Sequence, residues 1–374
     1  MEIKESSLPA IALSSLDASS AVALPSVLPR TMKAAILTEL NAPLLVADIE
    51  LPKTLAIGQV LVKIHFSGIC GSQLGEIDGA KGEDKYLPHL LGHEASGTVV
   101  AIGPGVKHVK PGDKVVCHWR KGLGIEAETP SYSLNGAKVN AGWIATLNEY
   151  AIVSENRVTA IPADSDMEVA ALFGCAVTTG FGIVENNAKV RIGESVVVFG
   201  SGGIGLNIVQ AAALVSAYPI IAVDLHDDKL ALAREMGATH LINSRNVDAK
   251  QAIAEIVGKQ GVDVFIDNTG QPTIIEMGYG LTNAKGRVIL VGVPRKGNDI
   301  KIYSLPLHFG KVITGSHGGE AVPQEDIQRY QALFACGKIR LRELITNYYT
   351  LDEINQAIAD MRSGKVWGRC LVGM

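Results

Sequence analysis

Three kinds of residue in this chain have types and surroundings that could do chemistry, and the first is a thiol. Cys70 sits in the turn-like stretch GICGSQLGEIDG, two residues before Ser72 and three before Gln73. Five cysteines are present, at positions 70, 117, 175, 336 and 370, and none forms a Cys-x-x-Cys pair. Neither a zinc ribbon nor a thioredoxin-type dithiol is therefore encoded. Taken singly, Cys70 and Cys175 read as buried thiols. The sharper reading makes Cys70 one corner of a metal site spread along the chain. The second group is imidazole: His93 and Glu94 head the β-rich segment HEASGTVVAIGPGV. A histidine in such a segment is more often a hydrogen-bonded structural group than a ligand.

The third is a glycine turn. VVVFGSGGIGLNIVQ places Gly200, Gly202, Gly203, Ile204 and Gly205 between an apolar strand and an apolar helix. In a Gly-x-Gly-x-x-Gly turn the first glycine permits the bend, the second lets the backbone approach a pyrophosphate, and the third lets the helix pack on the strand. The helix N-terminus supplies the positive end of its dipole to the phosphates. Nineteen residues after Gly205, Asp224 closes the next strand in IIAVDL, and Lys229 follows in DDKL. A carboxylate there accepts the adenine ribose hydroxyls and repels a 2′-phosphate, so the pattern predicts NAD rather than NADP, with Lys229 reaching the same ribose. The bland reading is a glycine-rich turn without a ligand, and the strand, helix and spaced acid together disfavour it.

Such residues need rigid elements to hold them, and 374 residues suffice for two cores. The first third, with MKAAILTEL, VLVKIHFSGI and EASGTVVAI, reads as strands punctuated by glycine and proline. Residues 166–190 turn helical. From Ser195 strands and helices alternate through RVILVGV, which implies a parallel, doubly wound sheet. A helix near 323–336, the strand-like TNYYT, the helix LDEINQAIADMRSG and a last strand GRCLVG complete the chain. Ser195 to Val223 contains no charged residue and is long enough to span a bilayer. Its four glycines and Pro219 favour a buried strand, turn, helix and strand instead. A net charge of −4 with mixed signs gives no case for nucleic acid or an anionic membrane. The expected partner is a small molecule. No signal peptide is read in residues 1–30, which are expected to be a mobile or surface-packed extension, and the cysteine usage points to a reducing, cytoplasmic setting.

From Met32 onward the sequence resembles the zinc-dependent medium-chain alcohol dehydrogenases. The motifs are GICGS, GHEASGTVVAIGPGV, PGDKVV, GCAVTTGFG, GSGGIG and AVDLHDDKLALAREMGA, in the family's order. The resemblance implies an α/β chain made of a GroES-like β-rich catalytic domain and a Rossmann nucleotide domain. Its expected boundaries are 1–30 for the extension, 31–180 with 318–374 for the catalytic domain, and 181–317 for the NAD-binding domain. It carries the zinc ligands onto Cys70, His93 and Cys175, and places Glu94 behind the metal. Ser72 matches the hydroxyl that bonds the substrate oxygen. Thr179, Ile204 and Val291 match positions around the nicotinamide, and Arg369 the pyrophosphate arginine. His118 and Trp119 fall at pocket-lining positions. The implied reaction is hydride transfer between NAD(H) and an alcohol/carbonyl pair, in a homodimer or homotetramer joined through strand-like residues 300–304 and 312–315.

The chain also departs from that pattern. The region CHWRKGLGIEAETPSYSLNGAKVNAGW holds one cysteine where the family commonly has four, which predicts one catalytic zinc and no structural zinc. Gln73 replaces a common aspartate and is expected to offer its carbonyl to the ligand imidazole. Gly75 stands where some members have a proton-relay histidine, leaving the proton exit open. Arg120 and Lys121 read either as a solvated basic turn or as a rim for a phosphorylated, carboxylated or sugar-like alcohol. A polyol is a further candidate substrate. The competing functions are a zinc-free alkene or quinone reductase and a non-catalytic nucleotide-binding protein.

Overall fold

The computed structural model describes residues 21–24 and 28–374. Its strands fall into two main systems. A seven-stranded sheet runs Val158–Ala160, Lys114–His118, Glu94–Ile102, Gln59–Ile69, Arg369–Gly373 and Ile345–Thr350, with Tyr150–Ser154 also pairing to Gln59–Ile69. Beside it a closed barrel joins Ala137–Asn140, His89–Leu90, Thr31–Leu37, Leu45–Glu50 and Ser131–Leu134. The chain's last strand returns to this β-rich unit, with Cys370 opposite Ile69. The last strand thereby lies against the residue that precedes Cys70.

The second system is a six-stranded sheet ordered His240–Asn243, Ile220–Asp224, Val196–Phe199, Val262–Asp267, Thr282–Leu290 and Val312–Gly315, and every neighbouring pair is parallel. A parallel sheet covered on both faces needs continuous apolar strands, and Val196–Phe199 is buried at every position. The chain steps outward from the central strand in one direction, then crosses to the other side with Val262–Asp267. The crevice at that reversal, at the strands' C-terminal ends, is where such sheets bind ligands. Asn268 bridges it, its Nδ2 donating to the Gly200 carbonyl at 3.1 Å.

The charge-free run Ser195–Val223 is a strand, the helix Gly203–Leu214 and a second strand. No helix among the described residues is long and apolar enough to cross a membrane. Within the extension, Val22–Ala23 pairs with Thr54–Leu55, and Leu24 and Leu28 pack on the barrel core. The expectation for residues 1–20 and 25–27 lies outside the described residues. One element differs from the reading of the sequence. Val312–Gly315 is a strand, but residues 300–304 are not. Their backbone is claimed by the helix Pro272–Leu281: Lys301 N–H donates to Glu276 Oε1 at 2.7 Å and the Tyr279 hydroxyl to the Tyr303 carbonyl at 2.9 Å. Pro306, without an N–H, then opens a short turn.

Candidate metal centre and nucleotide cleft

Cys70 follows the strand Gln59–Ile69 and caps the helix Gly71–Ile77, while His93 precedes the strand Glu94–Ile102. Those strands are antiparallel neighbours with Ser67 opposite Ala95, so the end of one and the start of the other bring Cys70 to His93. Cys175 precedes the buried helix Ala176–Gly182 and enters from a third side. The two Sγ atoms and an imidazole nitrogen lie within 4.8 Å of one another. Tetrahedral ligands on zinc stand about 3.5–3.8 Å apart, and two sulfurs with one imidazole are a donor set zinc accepts, leaving a fourth corner open. The thiols are already unequal: a hydrogen bond from Cys175 holds the Cys70 thiol well below the ordinary range, and giving that bond, with burial, pushes Cys175 well above it.

Gln73 is one of the corrections. It occupies the third position of the helix that Cys70 caps, and its Oε1 accepts the Cys70 N–H at 2.9 Å. A glutamine at this position reaches back to the cap residue, as in a capping box. Its carbonyl is spent on the ligand's backbone and not on the imidazole. Ser72 stands exposed in the first turn of the same helix.

Glu94 is 0 % exposed and forms an ion pair with Arg369, itself 4 % exposed, while its Oε2 accepts the Ala176 N–H at 3.3 Å. A charge buried this deeply needs its partner, and each of these two has one. Because Cys370 pairs with Ile69, Arg369 emerges beside Cys70, and its stem lies over Gly203 at the head of the nucleotide helix. One side chain thus touches the back of the metal centre and the glycine turn.

In the cleft, a Cβ at Gly205 would run into the Gly200 carbonyl, whereas one at Gly202 would meet only open space. That opening at a helix N-terminus is a cradle of the kind a pyrophosphate fills. Asp224 closes its strand with Oδ2 accepting the Ser201 N–H at 2.8 Å and Oδ1 accepting those of Leu225 and His226 at 2.8 and 3.1 Å. The carboxylate therefore also ties the glycine turn to the neighbouring strand. Lys229 lies on the helix Asp227–Glu235, half-buried. Thr179 is buried, its N–H donating to the Cys175 carbonyl at 3.0 Å, and Ile204 opens the nucleotide helix. Val291 follows Thr282–Leu290, its N–H donating to the Asp267 carbonyl at 2.8 Å.

His118 does not line a pocket. It lies opposite Glu94, and both ring nitrogens are committed, Nδ1 to the Arg120 carbonyl at 2.7 Å and Nε2 to Thr159 Oγ1 at 2.9 Å. Burial pushes its pKa down to about 4. Trp119, half-buried, meets the His317 ring edge-on with centroids 4.9 Å apart. Arg120 is a clamp: it donates to the His317 ring and carbonyl at 2.7 and 2.6 Å and to the Ala321 carbonyl at 3.3 Å. His317 escaped the reading of the sequence because nothing local in GSHGGE ties it to residues two hundred positions earlier.

Two family models match the chain: the alcohol dehydrogenase GroES-like domain over residues 56–163 and zinc-binding dehydrogenase over residues 203–335. The S-(hydroxymethyl)glutathione dehydrogenase of Paracoccus denitrificans is 33 % identical over 368 residues, covering 89 % of this chain and 97 % of its own. An alcohol dehydrogenase zinc-binding domain protein from Burkholderia ambifaria superposes with a TM-score of 0.84 at 30 % identity, covering 92 % of this chain and 99 % of its own. Benzyl alcohol dehydrogenase from Acinetobacter calcoaceticus gives 0.82 at 29 % identity, covering 92 % and 100 %.

Proposed function

The chain belongs to the zinc-dependent medium-chain alcohol dehydrogenases and is an NAD-dependent oxidoreductase of alcohol/carbonyl pairs, and from that premise we propose that Cys70, His93 and Cys175 hold its catalytic zinc. The observation that carries this is the convergence of their three ligand atoms within 4.8 Å. Zinc held there supplies a Lewis acid to the substrate oxygen, and NAD supplies the hydride acceptor. The protein's own share is binding, orientation and proton handling. Ser72, exposed two residues from Cys70, accepts the proton of the alcohol hydroxyl or returns it. Glu94, locked to Arg369, fixes the turn behind the ligands. Thr179, Ile204 and Val291 would hold the nicotinamide, the glycines at 200, 202, 203 and 205 with Arg369 would hold the pyrophosphate, and Asp224 with Lys229 would take the ribose. A zinc-free alkene reductase or an idle nucleotide-binding protein would leave three converging ligands without a task.

One zinc per chain is the expected load. Cys117, the lone cysteine of the region where a second zinc would sit, is buried in the strand Lys114–His118, and burial pushes its thiol up to about 12. A single cysteine cannot make the four-ligand cage of a structural zinc. The substrate proposed is an uncharged alcohol with an apolar or aromatic body. Trp119 supplies an aromatic wall beside the His317 ring, and Arg120, the main support for an anionic substrate, commits its Nε and Nη1 to Ala321 and His317. Rates of NADH formation with benzyl alcohol, a polyol and S-(hydroxymethyl)glutathione test this choice, and faster turnover of the anionic alcohol would overturn it.

The domain division proposed is 31–180 with 318–374 for catalysis and 181–317 for NAD. Val312–Gly315 is an edge strand, and Tyr303 and Phe309 beside it are 71 % and 70 % exposed. An apolar edge of this kind is usually covered, which supports a homodimer or homotetramer joined there. Five cysteines, all free, support a cytoplasmic, reducing setting.

A further inference from the structure

One peptide in the glycine turn is pinned from both sides. The carbonyl and the N–H of a trans peptide point in opposite directions. In the Gly200–Ser201 peptide the N–H donates to Asp224 Oδ2 at 2.8 Å, and the carbonyl accepts from Asn268 Nδ2 at 3.1 Å. Asp224 ends the strand Ile220–Asp224 and Asn268 follows the strand Val262–Asp267, the two neighbours of Val196–Phe199. The turn that leaves the central strand is thus fastened to the strand on either flank. Gly200 takes φ +94°, and a glycine backbone has little preference of its own. The tilt of this peptide therefore depends on the two side chains that grip it.

Asn268 is held as firmly as the peptide. Its N–H donates to the Phe199 carbonyl at 2.9 Å. The buried Asp267 carboxylate fixes the turn that follows, Oδ1 accepting the Thr269 N–H at 3.0 Å and hydroxyl at 2.6 Å, and Oδ2 the Gly270 N–H at 2.9 Å. Gly292 packs so closely that a Cβ there would run into this turn. The other end of the amide argues for a task beyond packing. Among the described residues Asn268 Oδ1 has no hydrogen-bond partner, and it is buried. An acceptor left in that state is destabilising. A leucine of the same shape would avoid it, but a leucine cannot donate to Gly200.

We infer that Asn268 is a positioning residue for the cofactor's pyrophosphate, its amide setting the tilt of the Gly200–Ser201 peptide and through it the aim of the N–H groups that follow. The bond that opens the nucleotide helix runs from the Leu206 N–H to the Gly202 carbonyl at 2.9 Å. The N–H groups ahead of it have no acceptor within the helix. Those are the donors a pyrophosphate takes. Donors that are aimed before the ligand arrives bind it more tightly than donors that must be ordered on binding. Asn268 acts in this way without touching the cofactor. The inference rests on the nucleotide reading above.

Calorimetry with NADH and with ADP-ribose, which keeps the pyrophosphate and lacks the nicotinamide, tests it on Asn268→Ala and Asn268→Leu. Neither variant adds charge, and Ala adds no bulk, so a Leu variant that fails to fold leaves the test standing. Both are expected to weaken both ligands about tenfold, the worth of one charge-assisted hydrogen bond. KM for NAD should rise by the same factor while kcat stays within about twofold of the parent, as when binding alone is lost. Parent-like Kd values in the Ala variant overturn the inference, whatever its thermal midpoint, and assign the amide to packing. Weakening confined to the Leu variant assigns the effect to bulk and overturns it too, as does weakening of NADH without ADP-ribose. A parent that binds neither ligand overturns the nucleotide reading itself, an outcome distinct from a parent that binds both and variants that match it.

Discussion

A histidine with both ring nitrogens committed inside the protein loses by taking up a proton. His118 is held neutral by burial, its pKa pushed down to about 4, while the unfolded chain protonates near the ordinary 6.5. Between those values the unfolded state binds more protons, so stability falls as pH falls through that window. From this one group the loss between pH 7 and pH 5 is about 2 kcal/mol. Urea midpoints at the two pH values check it: His118→Gln should flatten the difference, and an unchanged slope would place the titration elsewhere. Ser72 is the opposite case, exposed and free to meet substrate. Ser72→Ala should lower kcat roughly a hundredfold while zinc content stays as in the parent, the size expected when one positioned proton-transfer group is removed. The difference between these residues was only half legible in the sequence. Ser72 is singled out by the resemblance to the family, but the partners of His118 include Thr159, brought in by strand pairing over forty residues.

At the scale of elements, the glycine turn separates binding from folding. A Cβ at Gly202 meets open space, so Gly202→Val should keep the parent's thermal midpoint while raising the Kd for NADH tenfold or more, by calorimetry. At Gly205 the Cβ meets the Gly200 carbonyl, so Gly205→Val should cost about 2 kcal/mol or more of stability as well. Equal thermal midpoints for the two variants would contradict this reading. The alternating strands and helices around the turn were legible because burial on both faces writes continuous apolar runs such as VVVF. Residues 300–304 look equally strand-like, yet Tyr279 and Glu276 take their backbone groups, a tertiary decision no local pattern records. Gln73 sits between these cases: its position three residues after a helix cap carries the signal for reaching back to the Cys70 N–H.

For the whole molecule, the arrangement is a β-rich, GroES-like unit that carries the proposed metal ligands and a doubly wound unit that carries the glycine turn. Arg369 spans the two, paired with Glu94 and lying over Gly203. Breaking the exposed edge by Tyr303→Asp with Phe309→Asp should lower the mass in light scattering to that of the 39.5 kDa chain, while an unchanged assembly would move the interface elsewhere. That Cys70, His93 and Cys175 converge was legible through resemblance to a family, since no two lie within a metal-binding spacing. Their convergence depends on strands crossing between them. The most direct measurement is zinc per chain by mass spectrometry of the metal, taken with NADH formation from benzyl alcohol in the same preparations of parent and Cys175→Ala. The account predicts about one zinc in the parent and close to none in the variant, with NADH formation lower by roughly a thousandfold. A parent that turns over without zinc, or a variant that keeps both metal and turnover, would contradict it.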